Sequence, residues 1–319
     1  MTSEMGDKSV KVVYIMGSGR SGSTLLDLTL GSLPGFVSTG ELANFFTRLN
    51  PADEYCSCGQ KIHDCEFWMQ VQANWGGLHD DTRKRYAVLQ GRYERLRAWP
   101  RLITAGVRTD SDFRWYAERT AALFRAVAKV SGAAVLVDSS KSPTRALALS
   151  MMPGVDLTIV HLVRDPRGVA WSLNRAYAAD HAAGIQHAIK PMPVVSATWS
   201  WMLNNWFADR VRRRTGKAIL MRYEDFVQEP PVVLAQVLEA VGIRDKNVEP
   251  GKLISALAPG NLHLPAGNRL RRQDQVSIKL DDAWMRDMPA GKIRSVRLLA
   301  WPLMAKYGYA SFQKAPEDT

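Results

Sequence analysis

Residues 10–26 read VKVVYIMGSGRSGSTLL, and this stretch decides the fold. Its first part is mostly apolar and β-branched, which predicts a buried strand, and a helix is predicted to begin at Ser23. Between them, Gly17, Gly19 and Gly22 allow a tight turn in which backbone N–H groups converge. Since the positive end of the helix adds to this attraction, the loop is predicted to bind a phosphate-like anion.

The loop matches the nucleotide-hydrolase motif G-x-x-x-x-G-K-S/T only in part. Gly17, Gly22 and Thr24 fit the motif. Its lysine position is occupied by Ser23, and the basic residue of the loop is Arg20. Because that lysine reaches the outer phosphates of a nucleotide, its replacement disfavours ATP hydrolysis. The forked guanidinium of Arg20 suits a terminal phosphate or phosphosulfate group, and a purely structural glycine turn is the alternative.

Residues 155–172 repeat this organisation with the sequence VDLTIVHLVRDPRGVAWS. The part before Arg164 is apolar enough for a parallel strand buried on both faces. Asp165 and Pro166 then supply a helix N-cap and a proline at the first helical position. Arg164 is therefore predicted at the carboxyl end of a strand, on the sheet edge where the glycine-rich loop opens. A structural arginine before a capped helix is the alternative.

The two segments resemble the signature motifs of the PAPS-dependent sulfotransferases, closest in style to the carbohydrate, tyrosylprotein and bacterial-type enzymes. The resemblance implies an α/β, three-layer P-loop-like fold with a central parallel sheet, PAPS as sulfonyl donor and PAP as product. Arg164 and Ser172, eight residues later, resemble the pair that binds the 3′-phosphate. The residues that resemble the 5′-phosphosulfate loop are Gly19, Arg20, Ser21, Gly22, Ser23 and Thr24.

Two further strand ends carry candidate residues. Residues 133–141 form a short apolar run with polar residues before a proline, which predicts Lys141 on the same sheet edge. The resemblance implies that Lys141 contacts the transferring sulfonyl group; a solvated lysine at a helix start is the alternative. Residues 218–221 predict another buried strand, which leads to Tyr223. A cofactor contact and a purely structural aromatic are equal alternatives for Tyr223.

Glu41 is the predicted catalytic base, alongside Lys141 and Arg20 as catalytic cations. Its spacing from Arg20 resembles that in the tyrosylprotein sulfotransferases, and a carboxylate there can accept the proton of an acceptor hydroxyl. A helix-capping or ion-pairing glutamate is the alternative. None of the histidines lies in a setting that resembles the histidine motif of the cytosolic sulfotransferases, and His161 is predicted to be a hydrogen-bonded core residue.

Residues 51–131 are predicted to form a helical insertion that shapes the acceptor pocket. All three cysteines, Cys56, Cys58 and Cys65, lie in it, close to His63. These four residues have the composition of a three-cysteine, one-histidine zinc site, but the C-x-C spacing is tighter than usual zinc knuckles. A disulfide from Cys65 to Cys56 or Cys58 is a second alternative, and reduced thiols are expected in a cytosol. We therefore predict no metal, with the state of the cysteines left open.

The C-terminal tail, residues 251–319, is predicted to be irregular and to cover the cofactor, with one helix over residues 292–306. Arg269 and Arg271 are candidates for the 3′-phosphate by their position in a basic loop, with a solvated basic face as the alternative. Before the tail, residues 194–214 predict a packing helix. The residues predicted on its packed side are Trp199, Leu203, Trp206 and Phe207.

The composition agrees with a single sulfotransferase domain over residues 1–319. Hydrophobic residues make up 46% of the chain, enough for a substantial core. The balance of 42 Lys+Arg against 31 Asp+Glu gives a charge of +11, which suits an anionic cofactor and leaves peripheral membrane contact open. The arginines are scattered, so no nucleic-acid partner is expected. The opening residues are polar with no apolar signal region, so we expect a cytoplasmic protein.

The sequence thus predicts in-line transfer of a sulfonyl group from PAPS to a hydroxyl or amine, with a glutamate base. A P-loop nucleotide kinase and a noncatalytic nucleotide-binding protein are the alternatives. The acceptor, whether a small molecule, a carbohydrate or a lipid, and the oligomeric state are not indicated by any residue pattern.

Overall fold

A computed structural model describes residues 9–48, 55–76, 80–176, 188, 190–243, 262–266, 270 and 276–311. Its centre is a parallel sheet of five strands in the order β2-β3-β1-β4-β5. The strands are β1 Val10–Gly17, β2 Phe36–Ser38, β3 Val135–Lys141, β4 Val155–Val163 and β5 Ala218–Arg222. Helices cover both faces, which confirms the predicted three-layer α/β fold with a P-loop-like organisation.

Short turns of 3-10 helix lie at Leu42–Asn44, Leu96–Ala98 and Ala105–Thr109. The described α-helices are α1 Ser23–Gly31, α2 Phe45–Arg48, α3 Glu66–Trp75, α4 Asp80–Tyr93, α5 Trp99–Leu102, α6 Ser111–Ser131, α7 Pro143–Leu149, α8 Pro166–Leu173, α9 Val194–Arg214, α10 Tyr223–Gln228, α11 Pro230–Val241, α12 Ala283–Asp287 and α13 Ala290–Lys306.

The central strand β1 separates two cores. Tyr14 and Met16 point into a cluster shared with the helices of the insertion. Val13 and Ile15, on the opposite face, pack with residues of α1 and α11. Since β1 has β3 on one side and β4 on the other, the sheet has its topological switch point here. The carboxyl end of β1 is therefore the place where this fold binds ligands.

The insertion contributes to the first of these cores. Trp68 and Trp75 are buried among the other aromatic residues of this core. Trp75 Nε1 donates to the Arg119 carbonyl at 2.8 Å, which joins α3 to α6. These tryptophans therefore support the fold as buried core residues.

The prediction for the packed side of α9 was wrong. Trp199 is 50% exposed, and Leu203 and Trp206 are exposed as well. The buried side instead carries Trp201 and Asn205. Trp201 Nε1 donates to the Arg164 carbonyl at 3.0 Å, and Asn205 Oδ1 lies 2.9 Å from Nε2 of the buried His161. Because these polar contacts fix the rotation of the helix, Trp199, Leu203 and Trp206 face outward.

His161 is a hydrogen-bonded core residue, as predicted, and burial lowers its pKa to about 4. Within the described part of the chain, no helix combines the length and the hydrophobicity needed to cross a bilayer.

Candidate functional site

The glycine-rich loop connects β1 to α1 at the switch point of the sheet. Gly22 is the N-cap of α1, with a φ of 88°, and no acidic residue lies in the first turn of the helix. A Cβ atom on Gly22 would lie 2.4 Å from the ring of Tyr223. Position 22 thus requires glycine for two reasons, its left-handed backbone conformation and the close approach of the Tyr223 ring.

The loop has the features of an anion-binding site. The Ser21 hydroxyl is buried and has no hydrogen-bond partner among the described residues. A Cβ atom on Gly19 would meet nothing within 4 Å, so space is open beside the loop. An unpartnered buried hydroxyl and a helix N-terminus without nearby acid both favour a bound anion. These residues therefore fit the phosphosulfate group that the sequence predicts.

Arg20 and Lys141 are the only non-glycine residues with positive φ in the described part of the chain, at 64° and 70°. This left-handed conformation is unfavourable for side chains with a Cβ atom and is held in place by the surrounding structure. Met16, on β1, is paired with Lys141 at the carboxyl end of β3. The two cations predicted to act on the transferred group are thus also the two strained backbone positions.

Glu41 and Lys141 come together at the mouth of the site. Lys141 Nζ donates to Glu41 Oε1, and the two side chains are 20% and 21% exposed respectively. Asn44 Nδ2 donates to Glu41 Oε2 at 2.8 Å, and the Glu41 amide donates to the Ala266 carbonyl at 3.2 Å. The carboxylate is therefore held on both oxygens and remains in contact with solvent.

Arg164 lies beside the loop, as predicted, but its guanidinium already has partners. Nη1 donates to the Arg20 carbonyl at 3.1 Å. Nη2 donates to the carbonyl and to Oδ2 of Asp281, at 2.8 and 2.9 Å. The guanidinium carbon lies 4.5 Å from the centre of the Tyr223 ring. Arg164 thus connects the glycine-rich loop to the C-terminal tail.

Tyr223 is enclosed by the same elements. Its hydroxyl donates to the Lys279 carbonyl at 3.1 Å and accepts from the Asp281 amide at 3.2 Å. Ser172 lies in the last turn of α8 and is partly exposed. Arg269 and Arg271, the candidates from the tail, lie outside the described residues.

A buried ionic network behind Lys141 was not found by sequence reasoning. Arg145 donates to Asp138 Oδ2 from Nε at 3.2 Å and from Nη2 at 2.9 Å, and its Nη1 donates to Glu94 Oε1. Asp138 Oδ1 in turn accepts from the Ser140 amide at 3.0 Å. The network ties the end of β3, which carries Lys141, to the insertion. The one feature of the sequence that could have indicated this network is a pair of opposite charges, Asp138 within the predicted apolar strand and Arg145 shortly after it.

Asp27 on α1 is a second buried acid near the site. Ser139 Oγ donates to its Oδ2 at 3.2 Å. Burial raises the pKa of Asp27 to about 7. This carboxyl therefore titrates near neutral pH in the folded protein.

A groove of about 490 Å³ begins next to Lys141 and runs along α9. Its lining includes Ser142, the residue after Lys141, and the apolar side chains of Leu96, Trp199, Leu203 and Phe207. The exposed side of α9 thus forms one wall of a groove that reaches Ser142, the residue next to Lys141 in the chain.

Comparisons with known proteins concern the family and the fold. The sequence profile of the sulfotransferase family matches residues 13–247. No curated protein matches the sequence. Among solved structures, the sulfotransferase domain of the curacin biosynthetic pathway has 17% identity and a TM-score of 0.52, covering 93% of this chain and 98% of that domain. The sulfotransferase domain of the Synechococcus PCC 7002 olefin synthase has 18% identity and a TM-score of 0.48, covering 94% of this chain and 96% of that domain.

Proposed function

The chain belongs to the sulfotransferase family, and from this premise we propose that it transfers the sulfonyl group of PAPS to an acceptor with Glu41 as base. The observation that carries the proposal is the convergence of the anion-binding loop with the Lys141–Glu41 pair at the switch point of the sheet. Bound PAPS supplies the sulfonyl group, which forms a bond to the acceptor oxygen or nitrogen as its bond to the phosphate oxygen breaks.

The glycine-rich loop binds the phosphosulfate end of the donor. The buried Ser21 hydroxyl and the start of α1 supply donors there, together with the remaining loop residues. Arg20 places a cation in the loop, and Lys141 places a second one at the end of the neighbouring strand β3. The two cations stabilise charge that develops on the oxygens during transfer, as in phosphoryl transfer.

Glu41 takes the proton that the acceptor loses. Oε1 is the oxygen bonded to Lys141, and Oε2 is bonded to Asn44. When the Lys141 ammonium turns towards the anionic donor, Oε1 becomes available to the acceptor hydroxyl. The ion pair thus keeps both groups in place before the reaction and releases them together.

The nucleotide end of the donor lies towards Arg164. We assign its 3′-phosphate to Arg164 and Ser172, with Tyr223 beside it, and to Arg269 and Arg271 from the tail. Since Asp281 occupies Nη2 of Arg164, the phosphate competes with this carboxylate for the guanidinium.

The groove beside Lys141 is where we place the acceptor. Its wall of exposed apolar side chains, Trp199 and Leu203 among them, favours a small molecule or lipid with an apolar body over a bare sugar. A hydroxyl or amine at one end of such a molecule then lies near Lys141 and Glu41.

A nucleotide kinase is the main alternative, and it is disfavoured because Ser23 replaces the lysine of the ATP-binding loop. Calorimetry with PAP, 5′-AMP and ATP separates the two. Tight binding that depends on the 3′-phosphate supports the proposal, whereas a preference for ATP contradicts it. Acceptor-dependent consumption of PAPS then separates an enzyme from a noncatalytic nucleotide-binding protein.

A further inference from the structure

The three cysteines meet a histidine from the other end of the chain. Cys56, Cys58 and Cys65 lie in the insertion, and His263 lies in the short described segment 262–266. One ligand atom from each of these residues lies within 4.8 Å of all the others. Three cysteine sulfurs and one imidazole nitrogen from two distant segments are thus gathered at one point.

Three separations among these atoms lie within a few tenths of an ångström of those in a tetrahedral metal site. Sγ of Cys58 and Sγ of Cys65 are 3.7 Å apart. Nδ1 of His263 lies 3.2 Å from Cys65 Sγ and 4.0 Å from Cys56 Sγ. A tetrahedral zinc ion with three sulfur ligands and one nitrogen ligand separates its donor atoms by about 3.5–3.8 Å. A disulfide requires about 2.0 Å between sulfurs, so the Cys58–Cys65 distance is not that of a bond.

A tight turn explains how the short C-x-C spacing can supply two ligands. The Cys56 amide donates to the Gln60 carbonyl at 2.8 Å, and the Gly59 amide donates to the Cys56 carbonyl at 3.0 Å. Gly59 has a φ of 90°, which permits the reversal of the chain. The turn places Cys56 and Cys58 beside Cys65, which directly precedes α3.

His263 is oriented by contacts outside the ligand set. Its ring stacks on Phe67 with centroids 4.8 Å apart and planes 4° from parallel. Trp68 Nε1 donates to its carbonyl at 3.0 Å. The Ser57 amide donates to the Leu264 carbonyl at 3.2 Å, and the Leu264 amide donates to Ser57 Oγ at 2.9 Å. Such outer contacts hold a ligating imidazole in one orientation.

His63, the histidine that the sequence places near the cysteines, is not part of this cluster. Its side chain is 43% exposed and lies 3.3 Å from Asp64 Oδ2. The histidine nearest to the cysteines in sequence is therefore not the fourth donor, which is His263 from the C-terminal tail.

We propose that Cys56, Cys58, Cys65 and His263 bind a Zn²⁺ ion in a structural site with four protein ligands. Thiolates and imidazole favour zinc over magnesium or calcium, which prefer oxygen ligands. The ion joins the insertion to segment 262–266. This segment accepts the hydrogen bond from the Glu41 amide through Ala266, so the zinc site supports the backbone of the predicted base.

The test is the zinc content of the untagged, reduced full-length protein, measured by elemental mass spectrometry. We expect one zinc ion per chain in the wild type, with loss in Cys65→Ser and in His263→Ala. His63→Ala is the matched control and should keep full zinc content. Zinc content is measured without donor or acceptor, so the result does not depend on the proposed function.

Replacement of zinc by cobalt in the wild type keeps the test decisive if the variants fail to fold. Cobalt bound by three thiolates in a tetrahedral site gives intense visible ligand-field bands and a thiolate charge-transfer band. Substoichiometric zinc together with absent cobalt bands overturns the proposal, as does full zinc retention in His263→Ala. A disulfide between two of the cysteines in the freshly purified protein also overturns it.

Discussion

Lys141 Nζ donates a hydrogen bond to Glu41 Oε1, although the two residues lie 100 positions apart in the chain. Glu41 follows β2 and Lys141 ends β3, and these two strands are neighbours in the sheet. Lys141 also has one of the two strained, non-glycine backbone conformations of the described chain. The pair therefore gives both residues a fixed place at the mouth of the site, which the following predictions test.

Replacement of Glu41 by glutamine should lower kcat by about 10²–10⁴-fold, because the amide cannot accept the acceptor proton. PAP affinity should stay within a factor of about two, since Glu41 is assigned no contact with the nucleotide. Steady-state kinetics and calorimetry measure the two quantities. Glu239→Gln, at an exposed position on α11, is the control. Turnover at the wild-type rate in Glu41→Gln would remove this residue from the mechanism.

Replacement of Arg164 by alanine should weaken PAP binding by about tenfold or more, because a charged hydrogen bond to the 3′-phosphate is lost. Calorimetric titration with PAP and with 5′-AMP measures the change. The loss should be far smaller for 5′-AMP, which has no 3′-phosphate. An equal loss of affinity for PAP and for 5′-AMP would mean that Arg164 only supports the glycine-rich loop.

Replacement of Asp281 by alanine should have the opposite effect and tighten PAP binding several-fold. Its carboxylate accepts from Arg164 Nη2 at 2.9 Å and so competes with the phosphate. Asp282→Ala is the matched control, since this neighbouring carboxylate pairs with Arg286 instead. If Asp281→Ala weakens PAP binding, the carboxylate positions Arg164 and does not compete for it.

Replacement of Arg145 by methionine should lower the free energy of unfolding by about 3–5 kcal/mol, because it leaves Asp138 and Glu94 buried without their cation. Urea denaturation measures the change. Lys217→Met is the control, because it breaks an exposed ion pair with Asp156 and should cost less than about 1 kcal/mol. A similar decrease in the free energy of unfolding of the two variants would show that the buried network contributes little to stability.

The pKa of Asp27, raised to about 7 by burial, predicts a pH dependence of stability. The folded state binds this proton more tightly than the unfolded state. The stabilisation is therefore complete below the unfolded pKa of about 4 and is lost as pH rises through about 7. Asp27→Asn should remove this dependence. The measurement is the free energy of unfolding of the wild type and of Asp27→Asn between about pH 5 and pH 8. The difference between these two free energies should narrow or reverse as the pH rises. A difference that stays constant with pH would contradict the assignment.

Sequence reasoning identified the residues that lie in continuous motifs. Arg20 and the loop around it follow directly from the glycine pattern after β1, and Arg164 follows from the strand before the Asp165 cap. Both lie at the predicted sheet edge, since parallel strands carry their carboxyl ends to the same side. Their assigned contacts with PAPS remain predictions.

Contacts between residues far apart in the chain could not be predicted from such local motifs. The network of Arg145 joins β3 to Glu94, 51 positions away, and no local pattern indicates which acid a buried arginine will meet. The side of α9 that packs was mistaken for the same reason. Trp201 and Asn205 are buried where they meet hydrogen-bond partners, the Arg164 carbonyl just after β4 and His161 on β4, whereas hydrophobicity alone favoured Trp199.

The sequence by itself determined the strand, loop and helix around Gly17–Thr24, because backbone turns and helix starts depend on residues next to one another. Only the tertiary structure decided that Glu41 pairs with Lys141 and that His263, and not His63, joins the cysteines. The physical reason is that these contacts depend on which chain segments pack side by side, and the free energy of that packing is spread over the whole core.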